Sequence, residues 1–108
     1  MSYGRIEIQQ LEQQIIEMLK TVYDPEIPVN IYDLGLIYAI HIDTLANVHV
    51  EMTLTAPGCP VAQTFPEIVE NAVKSVVGVN DAKVGLVWEP PWTQDRMSEA
   101  AKLQLGLL

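Results

Sequence analysis

Apolar residues at Ile8, Leu11, Ile15, Met18, Leu19 and Val22 recur at the spacing that lines one side of a helix, which predicts a helix over 6–22. Glu12, Gln13, Glu17 and Lys20 fall mostly elsewhere on that helix and face water. Pro25 disfavours a helical backbone at Asp24, so the helix stops near Tyr23. Further on the period drops to two. Ala46, Val48, Val50, Met52 and Leu54 alternate with Asn47, His49, Glu51 and Thr53, the pattern of a half-buried strand. Over 36–42 the alternation is less clean, with Leu36, Tyr38, Ile40 and Ile42 on one side and Ile37, Ala39 and His41 on the other. Pairing the even positions through a short loop at 44–46 places Ile42 opposite Val48, and His41 beside His49 on the outer face.

Helical spacing returns over 60–77, where Val61, Phe65, Ile68, Val69, Ala72, Val73 and Val76 mark a buried stripe and Gly78 a stop. Pro66 would kink that helix unless its main body begins near Thr64, and Thr64 to Glu67 has the form of a capping box. A third strand is expected over 81–89, with Val84, Leu86 and Trp88 on one face and Pro90-Pro91 ending it. Ser98 to Leu105 reads as a short helix closed by Gly106. The order helix, strand, strand, helix, strand, helix predicts one α+β domain over 1–108, a two-layer sandwich of a small mixed sheet with helices on one face. The face bearing Ile37, His41, His49 and Val87 has no layer to cover it, so a homodimer contact is expected there. Residues 24–35 join the first helix to the first strand. They are rich in turn formers yet carry Ile27, Val29, Ile31, Tyr32 and Leu34, so they read as an ordered loop lying against the core.

Composition narrows the function classes. The 108 residues hold 14 acidic and 6 basic side chains, a net charge of −8, which argues against nucleic acid. No apolar run approaches the roughly 20 residues that span a bilayer, and the first ten residues lack a signal peptide's apolar stretch. A cytoplasmic location is therefore expected. A single cysteine excludes an intrachain disulfide and any four-thiolate metal or cluster site built by one copy. No glycine-rich nucleotide cradle is present.

That cysteine is nevertheless the sharpest feature. In Thr55-Ala-Pro57-Gly58-Cys59-Pro60 a strand ends and a thiol stands just before an expected helix, whose positive end would stabilise a thiolate. The alternative is a buried structural cysteine. A catalytic thiol would want a base, and the only imidazoles, His41 and His49, sit on a sheet face away from that loop. The His pair itself reads as surface or interface packing. Asp24, Glu26 and Asp33 could act as paired carboxylates or hard-metal ligands, or could simply cap turns. Glu89, Pro90, Pro91 and Trp92 form a stiff aromatic segment suited to partner docking, or equally to plugging the end of the sheet. On the residues alone a small cysteine- or metal-dependent enzyme and a pure interaction module with a structural Cys59 both remain open.

Three separated motifs, Asp24 to Tyr38, Met52 to Pro60, and Leu86 to Trp92 with Met97 to Ala100, occur in one order over about residues 10–107. Together they resemble the SufT/PaaD-like iron–sulfur assembly family, which includes the MIP-type proteins, and are most similar to its stand-alone SufT-like members. The resemblance implies a compact, often dimeric α+β domain without catalytic activity. It implies a transient iron–sulfur cluster as cargo, and scaffold and recipient apoproteins as partners. The family's functional cysteine falls on Cys59, framed by Thr55 and Gly58, and its acidic loop positions fall on Asp24, Glu26 and Asp33. With one thiol per copy, any cluster would have to be shared across a dimer, shared with a partner or completed by other ligands.

Overall fold

A computed structural model describes residues 3–55 and 64–107. Helix α1 spans Arg5–Leu19 and buries Leu11, Ile15 and Leu19, and the Glu7 carboxylate accepts the Gly4 N–H at its start. It ends three residues before the periodicity does. Thr21 and Val22 donate to the carbonyls of Met18 and Leu19, closing a tighter turn, and the Thr21 hydroxyl takes the Met18 carbonyl as well at 2.6 Å.

Strands β1 (Ile37–Ile42) and β2 (Asn47–Met52) are antiparallel, while β3 (Asp81–Leu86) runs parallel to β2, giving the order β1-β2-β3. The expected register holds, with Ile42 opposite Val48 and His41 opposite His49. One residue overturns the assignment of faces at the start of β1. Ile37 pairs with Met52 and Ala39 with Glu51, so Tyr38 is an extra residue, a bulge. The bulge turns Ile37 from the outer face onto the core, where it packs beside Ile40 and Ile42. Thr53 also departs from its expected outward position and is 1% exposed. Past Met52 the chain leaves the sheet, and the Thr53 N–H bonds the Leu36 carbonyl instead.

Helix α2 spans Phe65–Lys74 with Phe65, Val69 and Val73 buried. Pro66 lies in its first turn, where a missing N–H removes no internal bond, so no kink arises. Thr64 makes no side-chain capping bond, so the expected box does not form, and Ile68 is 52% exposed, outside the buried stripe. The expected start of this helix at 60–63 lies outside the described residues. Strand β3 stops at Leu86 and not at Glu89 because its neighbour runs out: Val87 takes the last β2 carbonyl, that of Met52. Trp88 therefore does not join Val84 and Leu86 against the core and is 39% exposed. A single turn at Gln94–Arg96 leads to helix α3 (Glu99–Gln104), which Ser98 caps by accepting the Ala101 N–H and Gly106 closes at φ +74°. The architecture is α+β, a three-stranded mixed sheet with α1 and α2 packed on it. Among the described residues no helix is long and apolar enough to cross a membrane.

The β1–β2 turn depends on Asp43, whose carboxylate accepts the N–H groups of Leu45 and Asn47 and the Asn47 side-chain amide. The bonds from Asn47, backbone first and then side chain, hold the Asp43 carboxyl below its ordinary value of 3.8. A depressed carboxyl stabilises the fold above its unfolded value and loses that contribution as pH falls through the folded one. Asp43→Ala is expected to lower the chemical-denaturation midpoint at pH 7, and the gap from the native protein should shrink as pH falls below 3.8. A gap that stays constant with pH would contradict this role.

Candidate functional site at the connector end of the sheet

The 24–35 connector is an ordered layer, as its composition suggests. Val29, Ile31 and Leu34 are fully buried, and Leu36 follows them into the core. Its polar residues shape it from within. One Asp24 oxygen accepts the N–H groups of Glu26 and Ile27, each at 2.8 Å. Asn30 and Asp33 bond reciprocally, the Asn30 amide donating to the Asp33 carboxylate and the Asp33 N–H to the Asn30 oxygen, both at 2.8 Å. Asp24 and Asp33 thus act as turn-holding groups, while Glu26 is exposed at the surface. Among the described residues no group of three or more His, Cys, Asp or Glu stands close enough to hold a metal ion.

Four consecutive residues gather the remaining parts of the site. The Asp33 carbonyl accepts the Ser98 N–H at 2.8 Å, the Leu34 carbonyl accepts the Trp92 indole N–H at 2.7 Å, and the Leu36 carbonyl accepts the Thr53 N–H at 2.9 Å. Gly35 has φ +81°, and a Cβ there would strike the Arg96 backbone carbonyl. The segment after β3 is therefore strapped onto the connector. Within that segment Trp92 is half-buried and its polar end is used, so Glu89, Pro90, Pro91 and Trp88 are what it presents outward. The Tyr38 hydroxyl donates to the Pro90 carbonyl at 2.7 Å, and the Arg96 guanidinium lies over the Tyr38 ring at 4.6 Å. Sequence reasoning did not single out Tyr38 and Arg96, because the contact depends on the bulge and on a strap more than fifty residues away.

Thr55, the first member of the thiol loop, is half-buried directly after the buried Thr53 and Leu54. Pro57, Gly58, Cys59 and Pro60 lie outside the described residues. The loop therefore leaves from the same end of the sheet as the connector and the strap, since Thr53 is tied to Leu36. On the outer face the His41 and His49 rings stack at 6.1 Å, and His41 Nε2 stands 2.9 Å from the Glu51 carboxylate.

Comparison with known proteins places this arrangement. The family model described as iron–sulfur cluster assembly protein matches residues 12–86, which span the connector, the sheet, α2 and the thiol loop. The chain belongs to this family. Its curated relatives include an Fe–S protein maturation auxiliary factor of Porphyromonas gingivalis, 54% identical over 94% of this chain and 97% of the relative. Another is the auxiliary factor YitW of Bacillus subtilis, 42% identical over 90% of this chain and 95% of the relative. The fold is shared with a solved domain of unknown function from Bacillus anthracis, with TM-score 0.84 and 38% identity over 93% of this chain and 95% of that one. Family membership thus rests on nearly the whole domain.

Gly35 is the tightest point of this arrangement. Gly35→Ala must place a side chain at positive φ and against the Arg96 carbonyl, and a loss of about 2–3 kcal/mol is expected, since left-handed strain alone costs about 1–2 kcal/mol. Denaturant titration checks this, and an unchanged midpoint would show that the strap is not seated on Gly35.

Proposed function

We propose that this protein is a non-catalytic maturation factor for cytoplasmic iron–sulfur proteins, carrying a cluster or iron through Cys59 between scaffold and recipient apoproteins. The observation that supports it most is family membership spanning the connector, the sheet and the thiol loop. Relatives named maturation auxiliary factors support it further, as do those of Mycobacterium and Synechocystis named iron–sulfur cluster carrier proteins, of which this chain spans about a fifth. The chemistry is consistent with transfer. One thiolate per copy gives a soft but incomplete ligand set, and an incomplete set releases its cargo more readily than four thiolates would. Pro57, Gly58 and Pro60 would shape the loop around the thiol, with Thr55 at its base. Asp24, Glu26 and Asp33 would support it from the connector, and Glu89, Pro90 and Pro91 would meet partners. Trp92 would serve this docking by holding the strap in place.

A lone thiol also gives a reason for a second copy. We propose that the outer face of Ala39, His41, His49, Glu51 and Val87 is the homodimer contact, with a cluster shared between protomers or with a partner.

Cys59→Ser is expected to abolish rescue of iron–sulfur enzyme activity in a strain lacking this protein while leaving the circular-dichroism spectrum unchanged. Rescue by the serine variant would overturn the role given to the thiol. Sedimentation equilibrium is expected to show a dimer that dissociates in His49→Glu, which puts a second carboxylate beside Glu51. A monomer at every concentration would remove the dimer from the account.

A further inference from the structure

Among the described residues, which include all 14 carboxylate side chains, none forms an ion pair with Arg96. That alone does not set Arg96 apart, since among the described residues Arg5, Lys83 and Lys102 have no ion pair either. Arg96 differs in being held in place. Its guanidinium carbon lies over Tyr38, 4.6 Å from the ring centre, and the Tyr38 hydroxyl is fixed by its bond to the Pro90 carbonyl. Its backbone is fixed by the bond from its N–H to the Thr93 carbonyl and by the close approach of its carbonyl to Gly35. Gly35, Ile37, Tyr38, Pro90 and Arg96 line an open concavity. A guanidinium carries its N–H donors in a planar fork that matches a carboxylate with two parallel hydrogen bonds. Ordering that fork beforehand removes much of the conformational cost of binding.

We propose that the Tyr38–Arg96 groove is a docking site for a carboxylate carried by a partner polypeptide. Charge complementarity selects the carboxylate, because the residues that line the groove include a cation seated over Tyr38 and no acid. Ile37 and Pro90 select a polypeptide over a free ion, because they offer apolar walls to the residues that flank the acid. The Tyr38 bulge adds a reason for the geometry. It carries Tyr38 out of the regular alternation of β1, on the open edge of the sheet, where an extended segment can approach. The site does not depend on Cys59, so its test is separate from that of the cluster-carrier reading.

The test is a nuclear magnetic resonance titration of the full chain at constant ionic strength. The probes are an N-acetylated, C-amidated Val-Asp-Val peptide, its Val-Asn-Val counterpart, sodium acetate and inorganic phosphate. The aspartate peptide is expected to shift the Arg96 side-chain N–H and the amides of Gly35 and Tyr38. Arg96→Gln and Arg96→Lys are each expected to weaken it at least about fivefold, the lysine variant because a point charge lacks the fork. Away from Tyr38 and its neighbours their amide spectra should be unchanged, since the rest of the fold is held by the Arg96 backbone. Equal binding of the asparagine peptide, shifts that map elsewhere, or full binding by Arg96→Lys would overturn the proposal. Acetate or phosphate binding as tightly as the aspartate peptide would overturn the polypeptide as occupant.

Discussion

The organisation of this protein depends on the backbone of Asp33 to Leu36. Within four residues it receives the Ser98 N–H, the Trp92 indole, the collision-free approach of Arg96 and the N–H of Thr53. Buried carbonyls left without donors would each cost about 1–3 kcal/mol, so this stretch binds the connector, the end of β2 and the strap into one unit. Leu34 and Leu36 are buried on either side of Gly35, and only glycine meets both the positive φ and the contact with the strap. Everything at this end of the sheet, including the point from which the thiol loop departs, is positioned relative to that stretch.

Much of this was legible in the chain itself. The cross-strand pairing of His41 with His49 follows from two alternating runs that must place their apolar sets on one face. The connector was legible as an ordered layer because Val29, Ile31 and Leu34 cannot be left in water at acceptable cost. The differences share one physical origin, which is that local periodicity does not register non-local hydrogen bonds. Ile37 turned inward because one extra residue at Tyr38 shifted the pleat. Thr53 became buried because its N–H found Leu36 instead of a ladder partner, and β3 ended where β2 stopped offering carbonyls.

The candidate site divided in the same way. Asp24 and Asp33 could be read either as reactive carboxylates or as turn caps, and each bonds nearby backbone or amide groups as a cap does. Trp92 could be read as a docking aromatic or as a plug, and the indole bond to Leu34 makes it a tether. The pairing of Tyr38 with Arg96 had no local signal, since the two lie far apart in the chain and meet only through the strap. The resemblance to iron–sulfur assembly proteins, by contrast, was carried by short motifs that the family model independently spans up to residue 86.

Ligand counting favours the proposed carrier role. A protein that stores a cluster supplies a closed set of ligands, whereas one that passes it on must leave positions for the donor and the recipient. A single thiol per copy fits the second requirement. The most direct measurement is anaerobic reconstitution with iron and sulfide, followed by visible absorbance and native mass spectrometry, on the native protein and Cys59→Ser in parallel. The account predicts an iron- and sulfide-bearing, coloured species for the native protein, which the serine variant fails to form. Equal metal loading of the two proteins, or a native protein that remains colourless and metal-free, would contradict it.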